Sequence, residues 1–261
     1  MKIAGATVLV TGASSGIGAA LAPELARRGA TVGITARRAE RLEAVLATCR
    51  EHAPESRMWS VDLSDPTAGE QLVDDAWDAF GHLDCLVNNA GMGKRKLLWD
   101  HTPADIHAVM ATNFATPVRM ALVVIRRMLE RGSGTVASVA SGGGRFGIAH
   151  ESVYCASKFA LSGWSEVAAI DLYDTPLEVK LIQPGAIATE IWERRAGELP
   201  GLPGGQFITP EECAVGICDA LEAPGFEFYV PADLAGMVAW KQSDLDGWID
   251  MMGTLGREST H

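Results

Sequence analysis

Seven short runs rich in β-branched residues punctuate the chain, and a segment with helical periodicity fills every gap between them. The runs are Thr7 to Val10, Thr31 to Thr35, Arg57 to Val61, Leu83 to Val87, Thr135 to Val139, Leu177 to Ile182 and Phe226 to Val230. The helical segments are Pro23 to Gly29, Ala39 to His52, Pro66 to Phe80, Pro103 to Arg131, Ser152 to Tyr173 and Pro210 to Ala223. Such alternation predicts βαβ units: an α/β fold with a doubly wound, mainly parallel seven-stranded sheet and helices on both faces. Asp65-Pro66, Thr102-Pro103 and Thr209-Pro210 each place a capping residue before a proline in the first turn. With 48% hydrophobic residues but only 7% aromatics, the composition suits an aliphatic sheet between helices. No linker or repeat divides residues 1–261, so one domain is expected.

Two segments break the rhythm. The Gly/Pro-rich stretch from Gly185 to Thr209 is too long for an ordinary connection and reads as a substrate lid. In the variable tail, 231–261, the residues Trp240, Leu245, Trp248, Ile249 and Met252 fit one apolar helix face. That face would cover the core, the substrate site or another subunit.

A net charge of -11 argues against a partner tracked through its phosphates, so no nucleic acid is expected. The first apolar run is too short for a signal peptide, and no stretch approaches the roughly 18 apolar residues of a membrane span. A soluble, cytoplasmic protein is the expectation. The five cysteines (Cys49, Cys85, Cys155, Cys213 and Cys218) are scattered without CxxC spacing. They read as reduced core thiols, with no metal site.

The first strand runs into 11 TGASSGIG 18. Glycines at a strand-to-helix turn allow positive φ and let a backbone approach a pyrophosphate, and the following helix offers free N–H groups. This is the logic of dinucleotide binding. An acid after the second strand would hold the ribose 2'-hydroxyl of NAD, whereas arginine accommodates the 2'-phosphate of NADP. The segment reads 35 TARRAER 41, which favours NADP(H), with Arg37 the stronger candidate and Arg38 the weaker. Farther on, Tyr154 precedes Lys158 by four residues, one helical turn, so phenol and ammonium can share a site.

Together TGASSGIG, 88 NNAG 91, Ser141, 154 YCASK 158 and 184 PGAIAT 189, in this order, resemble the short single-domain branch of the short-chain dehydrogenase/reductase family. The resemblance covers the chain apart from lid and tail. It implies a single-domain Rossmann fold and an NAD(P)-dependent oxidoreductase, transferring hydride between NADP(H) and a carbonyl or secondary alcohol. By the same resemblance Asn113, Ser141, Tyr154 and Lys158 form the catalytic set. Gly12, Ser14, Ser15, Gly16, Ile17 and Gly18, with Arg37 and Arg38, would hold the phosphates, and Asp62 would contact the adenine. Asn89, Ala90 and Gly91 would support the cofactor, while Pro184, Gly185 and Thr189, with Tyr154 and Lys158, would lie on its nicotinamide side. Where many members read Asn-x-Ser-Ser, this chain has 138 SVAS 141. Ser138 is therefore a decoy, ranked below Ser141 because only Ser141 has the family distance to Tyr154.

A tyrosine titrates near 10, and a neighbouring ammonium with the oxidised nicotinamide ring would pull that value down. Tyr154 would then donate the proton in carbonyl reduction, Ser141 would bind the same oxygen, Lys158 would hold the ribose, and Asn113 would connect Lys158 to solvent. The alternatives are a catalytically silent NADP-binding regulator or sensor and an epimerase of the same family; the intact catalytic set argues against the first. Met92, Lys94, Phe146, His150, Trp192 and Arg194 come from segments expected to border the substrate. They admit an apolar ketone with one polar end or a bulkier lipid-like molecule. The family often assembles through its long helices, so a homodimer or homotetramer is expected.

Overall fold

Every β-branched run becomes a strand in the computed structural model, which describes residues 1–193, 197–199 and 207–259. The strands are β1 (Thr7–Thr11), β2 (Thr31–Ala36), β3 (Arg57–Ser60), β4 (Cys85–Asn88), β5 (Gly134–Val139), β6 (Leu177–Pro184) and β7 (Glu227–Val230). They form one sheet in the order β3-β2-β1-β4-β5-β6-β7, with every neighbouring pair parallel. The chain winds outward from β1 to β3, then crosses back to place β4 against the other side of β1. At that reversal the loops leaving β1 and β4 diverge, which opens a crevice at the carboxyl ends of the strands.

Two layers of helix cover the sheet. Alternation along β1 sends Val8 and Val10 to one face, against α1 (Gly16–Arg27), α2 (Ala39–Arg50) and α7 (Pro210–Glu222). Leu9 points to the other face, into a cluster with Leu72 and Val73 of α3 (Pro66–Phe80) and Met120, Val124 and Met128 of α5 (Thr116–Arg131). The proline-led starts cap as expected. Thr102 and Thr209 form reciprocal capping boxes with Asp105 and Glu212, and Asp65 accepts from Thr67 N.

Helix α1 departs from expectation: it begins at Gly16, inside the glycine turn, not at Pro23. Pro23 sits within it, and the buried stripe Gly18, Leu21, Ala22, Leu25 and Ala26 carries the helix through the proline. The segment from Pro103 is continuous but irregular. Helix α4 (Pro103–Met110) passes through a wider π turn at Ala111–Ala115 before α5. An 18-residue window of this run reaches a mean hydropathy of 1.5, so by length and composition it could cross a membrane, contrary to the expectation that no stretch comes near. Of that window 39% is buried, and in the downstream half Met120, Ala121, Val124 and Met128 form a fully buried face of α5.

The tail also differs from the single helix face expected. It forms α8 (Leu234–Ser243) and α9 (Leu245–Glu258), separated at Asp244, whose carboxylate accepts from Gly247 N at 2.9 Å and caps α9. Leu245 and Ile249 face outward, more than half exposed, while Trp248 is 2% exposed. Trp248 packs on Phe146 at 4.7 Å and Trp240 at 5.3 Å between ring centroids, and donates from Nε1 to Gly147 O at 3.0 Å. All five cysteines are free and buried, and burial pushes the thiols of Cys49, Cys155, Cys213 and Cys218 up to about 12.

Candidate active site

The crevice is a cleft of about 1130 Å³ that runs from the glycine turn, past β4 and β5, to the tail helices. Its floor begins where the backbone is tightest. Gly12 and Gly16 have φ of +71° and +54°, and a Cβ on Gly18 would lie 2.4 Å from Gly12 O. Thr11 ties this turn to the next strand: its Oγ1 accepts from Asn89 N and Ala90 N at 2.9 and 3.0 Å, and its carbonyl from Asn89 Nδ2 at 2.8 Å. The first turn of α1 contains no acidic residue, and its N-cap Ser15 makes no side-chain cap, so the N–H groups there remain available to an anion. A glycine cradle too tight for side chains, facing a helix start, fits the pyrophosphate of a dinucleotide.

Around this cradle the cleft is lined by Ser14, Ser15, Ile17, Arg37, Arg38, Asp62, Asn89, Ala90, Gly91, Pro184, Gly185 and Thr189. The structure thus brings the sequence candidates for the cofactor together, Gly18 lying behind the wall. The two arginines behave differently. Arg37 is largely exposed, with Nε 4.0 Å from Asp62. Arg38, ranked second from sequence, lies on the glycine turn, donating to Ser15 Oγ at 2.7 Å and Ser14 Oγ at 3.3 Å. Asp62 also accepts from Ser64 N, the main reason its carboxyl titrates below the usual range.

Tyr154 and Lys158 project from α6 (Ser152–Asp171) into the middle of the cleft. Ser141, just past β5, lies beside the Tyr154 phenol, and its Oγ accepts from Gly143 N at 3.1 Å, which leaves its hydroxyl proton free to donate. Ser138 is fully buried and bonded to Ser165 Oγ at 3.0 Å, away from the cleft lining. Lys158 is 4% exposed and donates from Nζ to Val139 O at 3.0 Å. Burial pushes its ammonium down to about 8.

The phenol's own surroundings pull against the expected lowering. Burial pushes the Tyr154 hydroxyl well above its ordinary value, the neighbouring Glu151 adds to the rise, and Ser141 only partly opposes it. The Lys158 ammonium stands 5.9 Å from the phenol ring centroid and does not reverse that balance. The chain by itself therefore keeps Tyr154 protonated at neutral pH.

Asn113 sits in the π turn, fully buried. Its side chain clamps the Met92 backbone in both directions at 2.9 Å and donates to Ser157 Oγ at 3.0 Å. Asn113 Oδ1 and Lys158 Nζ each lie 3.5 Å from where a Gly91 Cβ would stand, so Gly91 keeps open the space the two polar groups share.

Of the expected substrate-bordering residues, Met92, Phe146 and Trp192 line the cleft. Lys94 does not; it is paired with Asp105 and Glu198 at 3.4 and 3.7 Å. Nor does His150, which adopts φ 66° and binds Gly256 O of the tail at 2.9 Å. Arg194 lies outside the described residues. The tail supplies Met251, Met252 and Leu255 to the same wall. Among the described residues no group of three or more His, Cys, Asp or Glu converges as a metal site.

Sequence reading missed the hub beneath this wall. Arg95, 2% exposed, donates to Ile191 O (2.9 Å), Leu199 O (3.2 Å) and Glu193 O (3.3 Å), and its guanidinium faces the Trp192 ring at 5.7 Å. Its Nη1 is 3.8 Å from Glu151, itself 5% exposed and one helical turn from Tyr154. Burial pushes the Glu151 carboxyl up to about 7, opposed by Arg95. The loop after β6 is thereby tied to the catalytic helix. An unusual buried arginine cannot be foreseen from 93 GKRKLL 98, where Lys94, Arg95 and Lys96 look alike.

The short chain dehydrogenase family model matches residues 6–199. Versicolorin reductase of Emericella nidulans is 32% identical over 254 residues, covering 95% of this chain and 92% of that protein. D-threitol dehydrogenase of Mycolicibacterium smegmatis is 29% identical, covering 94% and 93%. A short-chain dehydrogenase from Sphingobium yanoikuyae, solved with NADPH, superposes with a TM-score of 0.79 at 28% identity, covering 95% of each chain. A Burkholderia phymatum structure with NAD gives 0.85 at 22% identity, covering 94% and 96%, and supports the fold alone.

Proposed function

Since the chain belongs to the short-chain dehydrogenase/reductase family of nicotinamide-dependent oxidoreductases, we propose that it reduces a carbonyl compound with NADPH, or oxidises the matching secondary alcohol with NADP. The observation that carries this reading is the meeting of Tyr154, Ser141 and the buried Lys158 in the one cleft that starts at the glycine cradle. When bound, the nicotinamide supplies or accepts the hydride, which no side chain can do.

The residues divide the remaining work. Tyr154 holds a proton at neutral pH and passes it to the carbonyl oxygen; Ser141 donates a second hydrogen bond to that oxygen, stabilising its developing charge. Lys158 would hold the ribose, and Asn113, fixed by Met92 and Ser157, keeps the polar space beside Lys158 in shape. Arg37 and Arg38 would favour NADP(H) by charge, and Asp62 would contact the adenine. Met92, Phe146, Ile148, Trp192, Met251 and Met252 form an apolar wall near the Glu151–Arg95 pair, which suits a ketone with an apolar body and one polar end. Of the 185–209 loop, 194–196 and 200–206 lie outside the described residues; Ile191, Glu193 and Leu199 are clasped by Arg95, which supports a role as lid. Phe159, Val167, Ile170 and Tyr173 of the α6 segment are exposed apolar residues that support assembly through that helix.

The test is Tyr154→Phe assayed with NADPH on a panel of aliphatic and aromatic ketones. NADPH affinity should stay within about twofold while turnover drops about 10²- to 10⁴-fold, the scale of a lost general acid. Undiminished turnover would refute the catalytic role, and a wild-type protein that binds neither NADPH nor NADH would refute the cofactor reading.

A further inference from the structure

The loop after β6 crosses back over the glycine turn. A Cβ on Gly16 would stand 2.9 Å from Thr189 Cγ2, and the next residue, Glu190, reaches to the start of α2. Its carboxylate pairs with Arg38 Nη1 at 2.8 Å and with Arg41 Nη1 in close contact. Arg38 simultaneously spans Ser14 and Ser15, so its guanidinium lies between the phosphate cradle and the lid.

We propose that Glu190 is a cofactor-discriminating counter-ion, occupying Arg38 and Arg41 until the 2'-phosphate of NADP(H) displaces it, and that Arg41 is a further ligand of that phosphate. The proposal rests on the NADP(H) reading above.

Charge and exposure make the exchange feasible in one direction only. Two guanidiniums face one carboxylate, so a unit of positive charge stays uncompensated. A phosphate monoester carries about -1.5 to -2 near pH 7 and three acceptor oxygens, more than a carboxylate offers. The 2'-hydroxyl of NAD(H) is neutral and cannot compete for the arginines. The side chains of Arg38, Arg41 and Glu190 are 43%, 50% and 37% exposed, a setting in which ion pairs are weak and replaceable. Arg38 and Arg41 also hold the Glu190 carboxyl below its ordinary titration range, so it is ionised at neutral pH. Arg37, aimed at Asp62, takes no part in the pair.

The experiment is calorimetric titration of NADPH and of NADH into wild type, Glu190→Gln, Arg41→Ala and the double variant, at one ionic strength. Glu190→Gln should bind NADPH about two- to fivefold more tightly, the range expected for freeing an exposed ion pair, with NADH affinity unchanged. Arg41→Ala should weaken NADPH alone, and the gain from Glu190→Gln should shrink in the double variant. An equal gain for both dinucleotides would overturn the proposal, showing only that Glu190 obstructs the cleft. Weaker NADPH binding by Glu190→Gln would also overturn it, placing the carboxylate as a fastener over bound cofactor. If wild type binds NADH but not NADPH, the NADP(H) reading itself falls, a result independent of the variants.

Discussion

Replacing Glu151 by glutamine should make the apo protein more stable at pH 8 than at pH 4.5, relative to wild type, by an amount set by burial. The carboxyl is 5% exposed, its nearest cation is Arg95 Nη1 at 3.8 Å, and Glu198 adds a repulsive charge. These surroundings raise its titration point from 4.5 to about 7. At 1.36 kcal/mol per pH unit, that rise is worth about 3 kcal/mol. The sign follows from proton counts. Between pH 4.5 and 7 the folded chain holds a proton that the unfolded chain has released, so wild-type stability falls as pH rises through that window. Glutamine does not titrate, and its constant offset cancels when the two pH values are compared. The variant's advantage over wild type should therefore grow by about 3 kcal/mol between pH 4.5 and 8, or about 6–12 °C in Tm for a domain of this size. Urea unfolding of both proteins across this range, at fixed concentration and salt, measures it. A difference that stays flat within about 0.5 kcal/mol would refute the argument, because it would mean the carboxylate is ionised in the fold at no cost.

Three further substitutions separate chemistry from architecture. Ser141→Ala should abolish carbonyl turnover, whereas Ser138→Ala should retain it and cost about 1–2 kcal/mol through the lost bond to Ser165, read by activity and urea titration together; loss of turnover in a folded Ser138→Ala protein would reverse the assignment. Trp248→Ala should cost about 3–5 kcal/mol and expose the amides of α8 and α9 to hydrogen exchange ahead of those in the sheet, since Trp248 joins Phe146, Trp240 and Gly147. Exchange that accelerates equally everywhere would show that the tail is not a separately anchored unit.

The strands and the Tyr154–Lys158 pair were legible in the sequence because both rest on local periodicity: β-branched runs between amphipathic segments, and one helical turn between two side chains. Helix starts at Pro66, Pro103 and Pro210 were legible for the same reason, as capping needs only a few adjacent residues. The start of α1 was not, because Gly16 and Gly18 read as turn formers until tertiary packing recruits them to a helix. Asp244 divides the tail through a cap whose effect depends on Trp248 having a pocket to enter. The Arg38–Glu190 pair joins residues 152 positions apart, and Arg95 meets three carbonyls about 100 positions away. Nothing local distinguishes such residues from solvated charges; only the folded loop does.

The π turn at Ala111–Ala115 gives one continuous helix two angular phases. Upstream, α4 lies against α6; downstream, α5 lies against α3; the wider turn reconciles the two contacts and turns Asn113 inward between them. In the wider turn five residues sweep about as far round the axis as four do in ordinary winding, so removing one of them would leave α4 and α5 facing α6 and α3 much as before. What would be lost is the wider turn that aims Asn113 at Met92 and Ser157. At this place the chain carries one residue more than its helix packing needs, and that surplus is what sets a buried amide beside the cleft.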